Sequence, residues 1–256
     1  MHAAEYERMA LLEGDHWWYR GFRDLVARLL RQWRPKIAWD AHVLDAGCGT
    51  GANLRLLQAS LRPASLGGFD VSEQAATHAR QKMPEADVYV SDLCHPAIHE
   101  PRLDVILCAD VVYMTGLEAA LPGLQTLVSH LSTGGLLLLH VPAFNWLFSR
   151  HDVAVGTRQR FACGDIRALF AQLGLTEELL TYRMCLLFPA VIASRLPSLL
   201  FGAAAGKHAV ARSDLNLPPR WLNAGLTGIV KLENWSIARG MRFPWGSSII
   251  AVGRKP

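Results

Sequence analysis

Three glycines beside two carboxylates form the clearest chemical pattern in this 256-residue chain. Gly47, Gly49 and Gly51 stand at alternate positions after the short apolar run 43–46, and a helical pattern begins directly behind them. Glycine is needed where a backbone turns sharply or a ligand lies against it, because a Cβ would fill that space. The helix that follows would offer unpaired N–H groups to the same ligand. The spacing therefore predicts a ligand cradle at the end of a strand.

The two carboxylates narrow the kind of ligand. Asp45 precedes the glycines, and Asp70 ends the next apolar run, where a carboxylate accepts ribose hydroxyls in nucleotide-binding sheets. A dinucleotide loop reads G-x-G-x-x-G, with its third glycine on the first helical turn. Here the glycines alternate instead, so the spacing disfavours a nicotinamide cofactor. We expect a nucleoside site at the edge of a parallel sheet.

The elements that must position these residues alternate between strand and helix, which predicts an α/β fold with a doubly wound, mostly parallel sheet. The predicted strands are 42–46, 65–70, 87–90, 103–108, 136–141, 175–184 and 248–252. The predicted helices are 3–33, one beginning at 72, 116–131, 164–173 and 221–239, with a loop at 143–163. An apolar segment at 186–205 and a polar patch at 212–220 separate the last two strands.

Composition limits the functions to consider. A hydrophobic content of 51% with 19% charged residues predicts a folded protein. Arginines and lysines form no stripe interleaved with aromatic residues, so we expect no nucleic-acid partner. The five cysteines show no C-x-x-C pair, which indicates reduced thiols, no metal site and a cytoplasmic location. Segment 186–205 is long enough for a bilayer, but Pro189, Arg195 and Pro197 argue against a stable span.

The glycine pattern, together with Asp45 and Asp70, resembles motif I of the class I S-adenosylmethionine (SAM)-dependent methyltransferases. Asp92-Leu93 resembles the position at which this family meets the adenine amino group, and 109–114 resembles the segment after its fourth strand. The resemblance implies a Rossmann-like, seven-stranded sheet, SAM as cofactor and S-adenosylhomocysteine (SAH) as product. The loop backbone would lie against the methionine moiety, and Asp70 would hold the ribose.

An N-terminal element, Glu13 to Arg20, resembles the His-Trp-Trp element of one bacterial branch whose members often modify natural products or lipid-linked molecules. We expect it to form a lid in which Tyr19 and Arg20 approach the cofactor. With these two residues, the expected cofactor-binding set is Asp45, Ala46, Gly47, Cys48, Gly49, Gly51, Asp70, Val71, Ser72, Asp92, Leu93, Ala109, Asp110, Tyr19 and Arg20.

The resemblance also divides the chain, which we expect to form a single domain over 1–256. Its expected parts are a helical lid at 1–40, a SAM-binding core at 41–142, an active-site loop, helix and strand at 143–185, an apolar helical insert at 186–240 and the last strand at 241–256.

Methyl transfer to a hydroxyl or an amine requires a group that removes a proton. His151, in the loop after strand five and beside Asp152, is the first candidate for this base; the alternative is a histidine that orders the loop. Tyr113, after strand four, is the second, as a base, as a residue that fixes the acceptor or as a plain pocket wall. Arg150, Arg158 and Arg160 are candidates for a substrate anion or for salt bridges within the protein.

The apolar insert predicts a small hydrophobic or aromatic acceptor, or a homodimer face. The expected function is methyl transfer in bacterial secondary or lipid-linked metabolism. Two alternatives stay open: a catalytically inactive SAM-binding partner or regulatory subunit of the same fold, and an oxidoreductase.

Overall fold

The computed structural model of the chain describes residues 3–201 and 216–256. Within them, seven strands form one sheet. The strands are β1 His42–Ala46, β2 Ser65–Asp70, β3 Asp87–Val90, β4 Leu103–Ala109, β5 Leu131–Pro142, β6 Thr176–Arg183 and β7 Ser248–Arg254. The helices are α1 Ala3–Leu12, α2 Trp17–Trp33, α3 Ala52–Leu61, α4 Glu73–Lys82, α5 Val112–Thr115, α6 Leu117–His130, α7 Arg150–Val155, α8 Cys163–Gln172, α9 Phe188–Phe201 and α10 Arg220–Ala238.

The strand order is β3-β2-β1-β4-β5-β7-β6, and only β7 runs antiparallel to its neighbours. The chain moves outward from β1 in one direction and from β4 in the other, so the topological switch lies between these two strands. Ligands bind outside the carboxyl ends of the strands at such a switch. The predicted doubly wound, mostly parallel sheet is confirmed.

Helices cover both faces of the sheet. One apolar layer joins α2, α3, α4 and α10 to one face, and the other joins α5, α6 and α8 to the opposite face. Neighbouring residues of β4 alternate between the two layers, with Val105 and Leu107 in the first and Ile106 and Cys108 in the second. Every residue of β4 is buried, as expected for a central strand covered on both sides.

The N-terminal region differs from the prediction of one helix over 3–33. The chain forms α1 and α2 instead, because His16 accepts a hydrogen bond from the Trp18 N–H at its Nδ1 and so caps a new helix. Asn223 of α10 holds this turn from outside: its Oδ1 accepts from the Trp17 N–H at 2.9 Å, and its Nδ2 donates to the Asp15 carbonyl at 2.9 Å. The pattern of apolar residues continued through the turn, which hid the break.

Two further boundaries differ. The predicted loop at 143–163 contains the short helix α7, where the Asp152 carboxylate accepts from the Ser149 N–H at 2.9 Å. Strand β5 begins at Leu131 rather than at 136, since Leu131 pairs with Leu103 before a register shift. Of the predicted insert, the structure describes α9 and α10, while 202–215 lies outside the described residues. No helix among those described is long and apolar enough to cross a membrane.

Candidate functional site

The loop between β1 and α3, residues 47–51, is called the glycine loop below. Gly47, Gly49 and Gly51 have φ angles of +80°, +53° and +86°, the left-handed region that other residues avoid. The loop also packs too closely for a side chain, because a Cβ on Gly51 would lie 2.9 Å from the Cα of Ala79. A Cβ on Gly47 would meet Val111 at 2.1 Å. The glycines are therefore needed both for the turn and for its packing.

Asp70 ends β2 directly beside the glycine loop. Its Oδ2 accepts from the Gly49 N–H at 3.0 Å, and its Oδ1 accepts from the Ser72 N–H at 3.0 Å and from the Tyr6 hydroxyl at 3.3 Å. Burial raises the pKa of Asp70, while these donors act in the opposite direction. The Tyr6 hydroxyl makes the kind of hydrogen bond that a ribose hydroxyl would make to this carboxylate. No motif in the sequence marks Tyr6 as a partner of Asp70.

Asp45 lies beneath the same loop and is fully buried. Neither of its carboxylate oxygens has a hydrogen-bond partner among the described residues. Burial raises the pKa of this carboxyl group to about 8, and the charge of Asp70 adds to the effect. A buried carboxyl group without a donor favours a cationic ligand group such as an ammonium. Asp45 thus fits the amino end of a ligand whose ribose would lie on Asp70.

The residues expected around an adenine follow β2 and β3 along the same edge of the sheet. Val71 is 63% exposed, which leaves an apolar surface next to Asp70 for a flat ring. Asp92 is exposed after β3, where its Oδ1 accepts from the Cys94 N–H at 2.9 Å, and Leu93 behind it is buried. The structure therefore brings Asp45, the glycine loop, Asp70 and Asp92 to one edge.

The N-terminal helices cover the glycine loop. Glu13, between α1 and α2, accepts from the Thr50 hydroxyl at 2.8 Å and forms an ion pair with Lys82 of α4. On α2, Tyr19 is partly buried with its ring 6.0 Å from that of His16, whereas Arg20 is exposed. Glu13 thus joins the N-terminal helices to the loop, and Tyr6 joins them to Asp70. That these helices form a lid over a cofactor stays a prediction.

His151 lies in the first turn of α7 and is partly buried. The neighbouring Asp152 carboxylate is committed to two arginines, Arg160 at 2.7 Å and Arg195 at 2.8 Å. Burial acts to raise the pKa of Asp152, but these two ion pairs outweigh it and the pKa is lowered. Arg195 of α9 also donates to the Leu147 carbonyl, so it joins α9 to the segment after β5. Arg150 and Arg158 are exposed.

Tyr113 lies on α5 directly beyond β4 and is 8% exposed. Burial raises its pKa well above the ordinary value of 10, and the charge of Asp110 adds to the effect. The hydroxyl therefore keeps its proton near neutral pH. It can donate a hydrogen bond to an acceptor molecule, and the raised pKa disfavours a role as a base there.

His140, near the carboxyl end of β5, is a residue that the sequence reasoning missed. It is fully buried, its Nδ1 lies 3.0 Å from the Asp110 Oδ1, and its Nε2 has no hydrogen-bond partner among the described residues. Asp110 directly follows β4 and has a φ of +57°. A carboxylate on one imidazole nitrogen, with the other nitrogen unused, is the arrangement of a general base. The buried position within an apolar strand hid this histidine.

Arg183 ends β6 and was missed as well. It is fully buried, and none of its guanidinium nitrogens has a hydrogen-bond partner within the described part of the chain. Its Cζ lies 5.3 Å from the centre of the Trp18 ring and 5.9 Å from that of Phe22. The Phe22 ring also lies 4.8 Å from that of His140. We call Trp18, Phe22, Asp110, His140 and Arg183 the arginine cluster.

The reversal of strand order between β1 and β4, with a glycine loop and a ribose-type carboxylate at that point, defines a Rossmann-like nucleoside-binding fold. Residues 44–137 match the family described as a methyltransferase domain. Within this stretch the chain resembles the class I SAM-dependent methyltransferase family.

Relatives with curated functions agree with this family. The chain is 32% identical over 111 residues to the trans-aconitate 2-methyltransferase of Delftia acidovorans, covering 43% of this chain and 41% of that protein. It is 27% identical over 140 residues to the dTDP-4-amino-2,3,4,6-tetradeoxy-D-glucose N,N-dimethyltransferase of Saccharopolyspora spinosa, covering 54% of this chain and 53% of that protein. The chain spans about half the length of the curated relatives it matches.

A solved structure shows that the fold extends beyond the matched core. It is the complex between the Haloferax volcanii Trm112 methyltransferase activator and a methyltransferase, and one of its chains superposes with a TM-score of 0.60 at 17% identity. The superposition covers 99% of this chain and 94% of that chain. At this identity the likeness concerns the fold alone.

Proposed function

We propose that the chain is a SAM-dependent methyltransferase that acts on a small molecule, and that residues 1–256 form a single domain. The observation that carries the proposal is the pair of buried carboxylates at the glycine loop. Asp70 is held by backbone N–H groups where a ribose would bind, and Asp45 has no donor among the described residues where an ammonium group would bind. A nicotinamide cofactor has no ammonium group to match Asp45.

In the proposed site, Asp70 holds the ribose hydroxyls and Asp45 pairs with the ammonium group of the methionine moiety. Bound SAM supplies a methyl group that is already activated by its sulfonium. The further residues proposed to contact the cofactor are Ala46, Gly47, Cys48, Gly49, Gly51, Val71, Ser72, Asp92, Leu93, Ala109, Asp110, Tyr19 and Arg20. The lid formed by α1 and α2 excludes water from these contacts.

The chain's own contribution to the chemistry is to position an acceptor and to remove its proton. We propose His140 as the base, acting at its Nε2 while Asp110 fixes the ring through Nδ1. Tyr113 is proposed to position the acceptor with its protonated hydroxyl. His151, on α7, stays the alternative base, and variants of the two histidines separate these roles.

The acceptor is proposed to be small and hydrophobic or aromatic, because Trp18 and Phe22 line the region beside His140. Bacterial secondary or lipid-linked metabolism is the proposed context. A cytoplasmic location belongs to the same proposal and is supported by five cysteines that form no disulfide.

A homodimer through α10 is a further part of the proposal. Trp221 and Leu232 on this helix are 76% and 59% exposed, and Trp235 is 42% exposed. Large apolar side chains on one exposed helix are typical of a contact surface. Light scattering after size exclusion would test it: a dimer in the wild type and a monomer in Leu232→Glu support the proposal, whereas a wild-type monomer contradicts it.

Two measurements on the purified full-length chain test the function. Titration calorimetry should show SAH binding and no NAD binding; the reverse would revive an oxidoreductase. SAH release should then be followed with SAM and a set of acceptors that includes aromatic acids, trans-aconitate and an amino sugar nucleotide. Tight SAH binding without turnover of any acceptor would instead support an inactive SAM-binding partner.

A further inference from the structure

Arg183 carries a positive charge that no hydrogen-bond acceptor among the described residues satisfies. Its guanidinium has five N–H donors, yet all three nitrogens lack a hydrogen-bond partner among the described residues, and the side chain is fully buried. Burial lowers the pKa of Arg183 to about 10, which still leaves the group charged at neutral pH. A buried charge without a partner is costly, so such a group points to a ligand that supplies the missing acceptors.

The carboxylates around Arg183 are engaged elsewhere. Glu233 of α10 accepts from the Met184 N–H at 2.5 Å and from the Leu186 N–H at 2.9 Å. Asp24 of α2 accepts from Arg28 and Asn234, and Asp110 pairs with His140. These charges favour the protonated guanidinium at longer range without occupying its donors. With no acceptor among the described residues, the fork of N–H groups is left for an anion from outside the protein.

The position of Arg183 assigns that anion to the acceptor rather than to the cofactor. In the sheet, β6 lies four places from β1, which is about 19 Å at the usual strand spacing of ~4.8 Å. Arg183 is therefore remote from the glycine loop. It shares Trp18 and Phe22 with His140, because both rings lie against the two side chains.

We propose that Arg183 binds a carboxylate of the methyl acceptor, and that the apolar body of the acceptor lies against Trp18 and Phe22 beside His140. This inference rests on the proposed methyltransferase function. Guanidinium and carboxylate match in a planar, two-bond arrangement that a lysine cannot reproduce. Trp18 is partly exposed while it packs over the buried guanidinium, so a displacement of this ring would expose the donors to a ligand.

The test uses benzoate as the probe, since it joins a carboxylate to a flat apolar ring, with benzamide as its neutral counterpart and inorganic phosphate as a second anion. Binding to the SAH-loaded full-length protein is measured by calorimetry. We expect benzoate to bind at least about tenfold more tightly than benzamide, because a charged pair replaces a neutral hydrogen bond. Phosphate is expected to bind more weakly than benzoate, since it lacks the ring.

Arg183→Met should lose the preference for benzoate while the dissociation constant for SAH stays within about twofold. The same variant should raise the melting temperature of the ligand-free protein, because an apolar side chain of similar length replaces an unpaired buried charge. Arg183→Lys keeps the charge and should weaken benzoate at least about fivefold through loss of the planar fork. Arg167→Met, at an exposed arginine of α8 paired with Glu177, is the matched control and should change neither value.

The outcomes separate this inference from the proposed function. A wild type that fails to bind SAH breaks the proposed function. A wild type that binds SAH but binds benzoate no better than benzamide overturns the role of Arg183, as does undetectable benzoate binding. Unchanged benzoate affinity in Arg183→Met overturns it too, and so does a lower melting temperature, which would mark a structural arginine. If Arg183→Met does not fold, Arg183→Lys decides: benzoate affinity equal to the wild type overturns the inference.

Discussion

Two regions of the sheet's carboxyl edge differ in how their charged groups are satisfied. We call them the β1–β2 end, which carries the glycine loop and Asp70, and the β5–β6 end, which carries His140 and Arg183. At the β1–β2 end, Asp70 accepts hydrogen bonds from Gly49, Ser72 and Tyr6, so the protein satisfies most of this carboxylate by itself. At the β5–β6 end, Arg183 is buried with none of its donors used within the described chain. At the first end, backbone N–H groups already fix the position of the carboxylate. At the second end, the guanidinium has no such partner among the described residues and would be satisfied only by a bound ligand.

The difference indicates that the two ends serve different ligands, the cofactor at the β1–β2 end and the acceptor at the β5–β6 end. A cofactor that every turnover requires is served by donors fixed in the backbone, because such donors need no reorganisation. An acceptor is selected among similar molecules, and a buried charge that only the right partner satisfies gives strong selection. The predictions below test this comparison.

The largest expected effect is at His140. In His140→Gln, kcat should fall about 10²–10³-fold, because a general base contributes on this scale. The dissociation constant for SAH should stay within about twofold, because the Gln side chain can still donate a hydrogen bond to Asp110. Steady-state kinetics with the best acceptor found, together with calorimetry for SAH, measure both quantities.

His151→Gln is the matched control, because it removes the competing candidate base on α7. We expect its kcat to change less than about fivefold. A large loss of kcat in His151→Gln with normal turnover in His140→Gln would move the base to α7 and remove the arginine cluster from the chemistry.

The next effect is at the other end of the edge. Asp70→Asn should weaken SAH binding about 100-fold, because hydrogen bonds to a charged acceptor contribute ~1.5–3 kcal/mol and two are at stake on a ribose. Calorimetry with SAH measures the change. Asp87→Asn is the control, because Asp87 is exposed at the amino end of β3, away from the carboxyl edge, and pairs with His99. Wild-type SAH affinity in Asp70→Asn would show that the ribose does not lie on this carboxylate.

The β1–β2 end could be predicted from the sequence because it is local. The glycine loop, Asp45 and the Ser72 cap lie within one strand–helix–strand unit, and their spacing alone determines the turn. Alternation of strand and helix then predicted the order of elements. The boundary errors at His16 and at α7 arose where capping overrode apolar periodicity.

The β5–β6 end could not be predicted in the same way, because its residues are distant in sequence. Trp18, His140 and Arg183 come from α2, β5 and β6, and they meet only when those elements pack. Nothing in the local sequence distinguishes Arg183 from a strand-end residue in solvent. The loop histidine His151 looked more suitable than His140 because an apolar strand gives no hint of an Asp110 partner.

A smaller effect should appear as a pH dependence at Asp45. Its folded pKa of about 8 lies above the ordinary 3.8, so the free protein holds this proton at neutral pH. Pairing with an ammonium group requires the carboxylate, and SAH binding should therefore release a proton. We expect SAH affinity to fall roughly 15-fold from pH 8 to pH 6.5, because the ionised fraction of a carboxyl group with a pKa of about 8 falls from about one half to about 3%.

The stability of the free protein should change in the opposite direction. A raised folded pKa adds stability that is complete below the ordinary pKa and is lost as the pH rises through 8. The melting temperature should accordingly increase from pH 8 to pH 6. Asp45→Asn should flatten both profiles. Unchanged profiles in this variant would mean that Asp45 neither titrates in this range nor meets the ligand.

The smallest expected effect concerns Tyr6 of α1. Its hydroxyl donates to Asp70, the carboxylate that is proposed to bind the ribose. Burial raises the pKa of Tyr6, so its hydroxyl keeps its proton and donates to Asp70. A ribose hydroxyl must replace this donor before it can bind. Tyr6→Phe should therefore tighten SAH binding about three- to fivefold, the scale of one hydrogen bond of ~1 kcal/mol. Tyr89→Phe is the control, because its hydroxyl donates to the Ala97 carbonyl instead. Weaker SAH binding in Tyr6→Phe would instead make Tyr6 part of the cofactor site, and the β1–β2 end would then depend on the lid as much as on its own backbone.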